Sequence, residues 1–211
     1  MNLFDCHTHK LDVFGISNIK FNSDHFPSNS FSTGLHPWDV SKEISLEEIS
    51  SYFEKCHGLK NFVAIGEVGL DKMKGEPLAV QEEYFRFQIK LAIRLKKPVI
   101  IHCVRAYEQC LSILKNESVS IPVIFHDFNA SFDIYQKLIQ QGHYISLGKN
   151  FLRNNSKINT YLKKLSCDHL FFETDDSEKN ISVLYEKFSS LTGASLDELS
   201  EQVNQNKSRV F

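Results

Sequence analysis

Eight short apolar runs recur along the chain, and they restrict its fold more than any other feature. They are Leu3–Cys6, Asn18–Phe21, Ser30–Thr33, Asn61–Ile65, Pro98–Ile101, Ile121–Phe125, His143–Leu147 and Asp168–Phe172. Most are too short for helices and carry little polar alternation, which is how parallel strands buried on both faces read. Helix-period stretches lie between the later runs, at Leu46–Lys55, Val80–Lys96, Tyr107–Lys115, Phe132–Gln141 and Ile158–Leu165. Two more close the chain, near Asn180–Leu191 and Ser195–Val203, the second opened by a Ser195/Glu198 capping box. Pro98 and Pro122 stand at strand starts, where a missing N–H is tolerated. Alternating strands and helices predict an α/β fold, a (β/α)8 TIM barrel. No helical pattern appears between His9 and Phe31, so the first crossover is expected to be short and the barrel distorted. No linker, repeat or low-complexity tract interrupts the 211 residues, which read as a single domain over 1–211.

With 42% hydrophobic residues the chain can fill a core without disulfide staples. Its five cysteines are scattered and never at CxxC spacing, so reduced thiols are expected and a cysteine-based zinc site is not. The start of the chain lacks the pattern of a signal peptide, and no apolar stretch reaches membrane-spanning length. A cytoplasmic protein with no membrane association and no obligate protein partner is expected. The formal net charge of −2 excludes a protein that holds long nucleic acid with its whole surface, so any such substrate must be gripped at one site.

Strand C-terminal ends form the active-site face of such a barrel. His7 and His9 sit two apart at the end of the first run, and alternate strand residues share a face. Glu67 follows Asn61–Gly66, His102 follows PVII, His126 follows IPVIF, and Asp175 follows HLFFET. A lone HxH is a weak signal, and a single histidine at a strand end is more often structural than ligating. Six such residues at strand ends are another matter, because burying these ionisable groups together requires a counter-charge. Four imidazoles and two carboxylates suit zinc, manganese or iron better than an all-oxygen magnesium cage. Six ligands exceed the needs of one tetrahedral ion and fit two ions bridged by a carboxylate. His143 and His169 fall at strand starts, on the opposite face, and read as structural.

The motifs FDCHTH, GLHPW at 34–38, GEVGLD at 66–71, IIHCVRA at 100–106, the run ending in His126, and ETD at 173–175 together resemble the TatD family of metal-dependent hydrolases. The resemblance extends nearly over the whole chain. It implies a distorted TIM barrel, two divalent metal ions (zinc, manganese or magnesium) and deoxyribonuclease or phosphodiesterase activity on DNA or another phosphodiester. It also implies that His7, His9 and Asp175 hold one ion, that His102 and His126 hold the second, and that Glu67 bridges them. The chain departs from the family pattern at Lys10, at Val104–Arg105, in DFNAS after His126, and in Asp176–Ser177 after ETD. These departures fall in segments that contact substrate, not on the ligands.

The expected reaction is hydrolysis by metal-activated water, with Glu67 and Asp175 as catalytic residues and Asp175 able to accept the water's proton. His36 reads either as a donor to a phosphate or as a structural turn histidine. Lys72, Lys74, Arg105, Lys149 and Arg153 read either as a local anion funnel, with Lys72 and Arg105 contacting substrate, or as ordinary surface charge. An amidohydrolase-like ester or amide hydrolase and a tRNA deacylase are the alternatives at the same metals. A non-catalytic module would be expected to have lost ligands, and none of the six is missing.

Overall fold

A computed structural model describes residues 2–11 and 13–211. All eight expected strands are present: β1 (Asp5–Thr8), β2 (Gly15–Lys20), β3 (Phe31–Gly34), β4 (Phe62–Asp71), β5 (Val99–Val104), β6 (Val123–Phe125), β7 (Tyr144–Leu147) and β8 (Leu170–Phe172). They form one parallel sheet in chain order. The seam between β8 and β1 is drawn together by a parallel bridge between Thr8 and Asp175. There the His9 N–H donates to the Asp175 carbonyl and the Asp175 N–H to the His7 carbonyl, each at 3.0 Å. The barrel is thus nearly closed, and three of the expected ligands lie on the residues that close it.

Among the described residues, six α-helices follow the amphipathic stretches: α1 (Leu46–His57), α2 (Leu78–Leu95), α3 (Tyr107–Asn116), α4 (Phe132–Gln140), α5 (Ser182–Thr192) and α6 (Leu196–Val210). The Ser45, Ser131 and Ser195 hydroxyls cap α1, α4 and α6 by accepting backbone N–H groups of the first turn. At α6 the expected capping box with Glu198 is complete. Asn206 on α6 donates to the Cys167 and Leu170 carbonyls, which ties the last helix to β8. The fully buried Phe31, Phe53, Phe62, Phe125, Phe171 and Phe172 belong to one continuous core, and each contributes roughly 1.5–3 kcal/mol by leaving water.

The described residues between β1 and β3 hold no helix, as expected. β2 pairs parallel to β1, with Asp5 opposite Gly15 and Thr8 opposite Ser17. The pairing is tight at Gly15, where a Cβ would stand 2.3 Å from the Asp5 carbonyl oxygen.

Two expectations fail. Ile158–Leu165 is not an α-helix but a series of 3-10 turns at Lys157–Thr160 and Leu162–Lys164. The Asn159 amide donates to the Arg153 and Asn154 carbonyls and the Thr160 hydroxyl to the Lys157 carbonyl, so side chains compete with the helical backbone. The run expected at Asn61–Ile65 continues as β4 to Asp71, so Glu67 lies inside a strand and not beyond its end. Among the described residues, no helix is long and apolar enough to cross a membrane.

Candidate metal centre

Glu67 sits at a bulge in β4. Ile65 and Val68 pair with Val99 and Ile101 of β5, so the bulged strand carries one residue more than its partner. Such an insertion re-aims a side chain. Here it puts the buried Glu67 carboxylate among residues from five other parts of the barrel.

The two oxygens of that carboxylate face different groups. Oε2 lies 3.3 Å from Nε2 of His7 and 4.0 Å from Nε2 of His9. Asp175 Oδ1 joins them, 3.7 Å from His7 and 3.4 Å from His9. One donor atom from each of these four residues fits within a 4.8 Å cluster. Donors around a single zinc-sized ion, each about 2.1 Å away, are separated by no more than about 4.2 Å, so the cluster needs little contraction to hold one. His7 is fully buried and neither of its ring nitrogens makes a hydrogen bond of good geometry. An orphaned imidazole beside two carboxylate oxygens matches a ligand aimed at a cation.

Oε1 faces the second group. His102 Nδ1 and His126 Nε2 each lie 2.7 Å from it and 3.2 Å from one another. Their other nitrogens are directed by carboxylates. His126 Nδ1 is 3.0 Å from Glu173 Oε1, and His102 Nε2 is 3.4 Å from Asp71 Oδ2. A carboxylate that accepts a hydrogen bond from one ring N–H keeps the proton on that nitrogen and leaves the lone pair of the other free for a metal. Glu173 is itself fixed by the Ser146 hydroxyl and the Asp127 N–H, and Asp71 by the Trp38 indole N–H at 2.6 Å and the Met73 N–H at 2.7 Å.

His36 Nε2 also reaches Oε1, at 3.1 Å, and groups geometrically with Glu67 and His102. Its Nδ1, however, faces the Trp38 backbone N–H at 3.1 Å, which can only donate. Nδ1 must therefore accept, and Nε2 bears the proton. His36 is a donor in this arrangement and has no lone pair to give an ion.

The electrostatics follow from the crowding. Burial would push the Glu67 carboxyl up, but the charge on His126 and hydrogen bonds from His102, His126 and His36 outweigh it and hold it well below the usual carboxylate range. Burial likewise opposes charge on His126, yet Glu67 and Glu173 raise it well above the ordinary value. Asp175 is lowered too, with burial overcome by its hydrogen bond from His9 and the charges of His126 and His7. A cluster that draws protons this strongly onto its imidazoles has the charge balance to bind divalent cations in exchange for those protons.

The six residues expected as ligands thus meet at one end of the barrel, and His36 joins them. His9 is the exception in burial, with its side chain 45% exposed at the mouth. Lys72 and Arg105 are exposed just beyond β4 and β5, on loops joined by the Lys72 N–H to Val104 carbonyl bond, and neither makes an ion pair among the described residues. Lys149 differs from expectation: it is committed to Asp175 at 2.9 Å and Asp176 at 2.7 Å. Lys74 lies over the Trp38 ring, 3.5 Å from its centroid. Sequence reasoning missed Asp71 and Glu173. Asp71 carried a signal, since it stands four residues from Glu67 in one apolar stretch; Glu173 carried none beyond its place in ETD.

The sequence profile of the family described as TatD related DNase matches residues 8–211. An uncharacterized metal-dependent hydrolase of Buchnera aphidicola is 32% identical over 165 residues, covering 75% of this chain and 62% of that protein, so the match spans less than two thirds of the relative's length. The uncharacterized metal-dependent hydrolase YabD of Bacillus subtilis is 28% identical over 194 residues, 84% of this chain and 75% of YabD. Among solved structures, the TatD homolog YjjV of Escherichia coli superposes with a TM-score of 0.85 at 22% identity, covering 100% of this chain and 98% of YjjV. A TatD-family hydrolase of Entamoeba histolytica superposes with a TM-score of 0.81 at 15% identity, covering 100% and 98%. At these identities the two structures show a shared fold.

Proposed function

The chain belongs to the TatD family of metal-dependent hydrolases, and from that premise we propose that it hydrolyses phosphodiester bonds, with DNA as the substrate class, at a centre of two divalent ions bridged by Glu67. The observation that carries the reading is the division of the Glu67 carboxylate, one oxygen toward His7, His9 and Asp175, the other toward His102 and His126. The donors fit the ions: His7 is orphaned beside two carboxylates, and Asp71 and Glu173 direct the lone pairs of His102 and His126 inward.

Two divalent ions held by these residues would supply the Lewis acidity that lowers the pKa of water toward neutrality and offsets charge on phosphoryl oxygens. The chain does the rest. Asp175, ionised and at the mouth, takes the hydrogen bond and the proton of the attacking water, while Lys149 on its Oδ2 keeps Oδ1 turned to the site. His36 donates its Nε2 proton to a non-bridging phosphoryl oxygen, as its Trp38-fixed tautomer requires. Lys72 and Arg105, exposed at adjacent strand ends and without an ion pair among the described residues, hold the anionic substrate at the rim.

The test is a panel of a single-stranded oligonucleotide, a small phosphodiester and a neutral ester. Chelator-treated protein should cleave neither diester and regain both activities with zinc or manganese. Metal-restored turnover confined to the ester would overturn the phosphodiester reading.

A further inference from the structure

The crossover from β7 to β8 carries charge of one sign only as far as Ser166. Between Gly148 and Ser166 it carries Lys149, Arg153, Lys157, Lys163 and Lys164 and no acidic residue, in a protein where acids outnumber bases by 26 to 24. Lys149 is consumed by Asp175 and Asp176. The other four make no ion pair among the described residues, and all four are exposed. Runs of surface charge are ordinarily interspersed with the opposite sign; this one is not.

The crossover also makes a cavity. A cleft of about 500 Å³ lies between it and α5, lined by residues that include Tyr161, Lys163, Lys164, Lys187 and Leu191. That volume is in the range of sites for small organic groups. Lys187 rises into it from α5. Its ammonium donates to the Phe151 carbonyl at 2.7 Å and, among the described residues, meets no carboxylate. Burial pulls its pKa down. This half-buried cation is left without the anion that would compensate it.

The cleft is tied to the metal centre. Asp127, next to His126, accepts the Asn150 backbone N–H at 2.9 Å and the Asn150 amide at 2.6 Å. The next residue, Phe151, supplies the carbonyl that holds Lys187. The first turn of the crossover is thereby fixed both to the residue following a candidate ligand and to the wall of the cleft.

We propose that this cleft, with the Arg153–Lys164 face of the crossover, binds the sugar–phosphate backbone of a single nucleic-acid strand whose scissile bond lies in the metal centre. Cations spaced along a crossover suit a polyanion, whereas a free phosphate would engage only those at the cleft. Neutralising successive phosphates displaces their counterions, so the contribution depends steeply on salt. The inference rests on the phosphodiester reading of the centre but concerns a separate surface.

The experiment uses the full metal-loaded chain and a labelled single-stranded phosphorothioate oligonucleotide, with binding read by fluorescence anisotropy across a salt series. Lys163→Glu with Lys164→Glu should weaken binding about tenfold and lower the salt slope by about 0.7 for each phosphate no longer neutralised. Turnover of bis(p-nitrophenyl) phosphate, which has no flanking phosphates for the cleft to hold, should be unchanged. Arg153→Glu with Lys157→Glu repeats the test on a second exposed pair. Equal affinity in wild type and both variants would overturn the proposal, as would displacement of the strand by inorganic phosphate at matched ionic strength. Failure of the catalytic reading is separable: a strand bound by wild type and released by the variants, with no diester cleaved by any of them, supports the cleft and removes the phosphodiesterase.

Discussion

Glu67 is the residue on which the geometry turns, because each of its oxygens serves a different set of imidazoles. Glu67→Ala should therefore deplete both ions together, while His126→Ala should empty mainly one; metal-to-protein ratios by native mass spectrometry distinguish the two, and equal loss from both variants would contradict the bridge. Asp71 acts through His102 and touches no candidate ion. Asp71→Asn keeps the shape and removes the charge, and should cost roughly 10- to 100-fold in affinity for the ion that His102 serves, with the other site spared. A metal titration that finds both sites equally weakened would place Asp71 elsewhere. The six candidate ligands are legible in the sequence because each follows an apolar run. Asp71 left only its place four residues after Glu67, and Glu173 only its place in ETD; that each orients a histidine appears when β4 lies against β5 and the segment after β8 against His126.

At the level of elements, the strands are legible because two-sided burial leaves nearly unbroken apolar runs. β4 reads short because GEVG resembles a turn, yet Gly69 is needed inside the strand: a Cβ there would meet the His102 carbonyl oxygen at 2.0 Å. The turns of the β7–β8 crossover read as a helix because the apolar spacing of Ile158, Leu162 and Leu165 outweighs, on paper, the side-chain bonds of Asn159 and Thr160. His143, at the start of β7, gives a pH prediction. Burial, helped by the charge of His169, lowers its pKa from 6.5 to about 4. The folded protein keeps it neutral while the unfolded chain takes up a proton, so its contribution is complete above about pH 6.5, falls with decreasing pH, and is lost by about pH 4. The span is on the order of 3 kcal/mol. His143→Gln should flatten the stability curve in that window, measured by urea unfolding at successive pH values; an unaltered pH dependence would show that His143 does not titrate this way. Ser195→Ala, which removes the capping box of α6, should cost about 1 kcal/mol in the same assay.

For the whole molecule, the net charge is −2, and Lys72 and Arg105 beside the candidate metal centre make no ion pair among the described residues, so the proposed function calls for local capture of an anion and not binding by the entire surface. Exposed charges are screened over about 10 Å at 0.1 M ionic strength, so capture at the rim should weaken with salt. The most direct test compares kcat/KM for a short single-stranded oligonucleotide and for a neutral ester, from low to moderate salt, in wild type and in Lys72→Ala with Arg105→Ala. The phosphodiester reading predicts that oligonucleotide cleavage falls with salt, that the double variant raises KM more than it lowers kcat, and that the ester responds little to either change. Salt-insensitive cleavage of the oligonucleotide, or markedly better turnover of the ester, would contradict it.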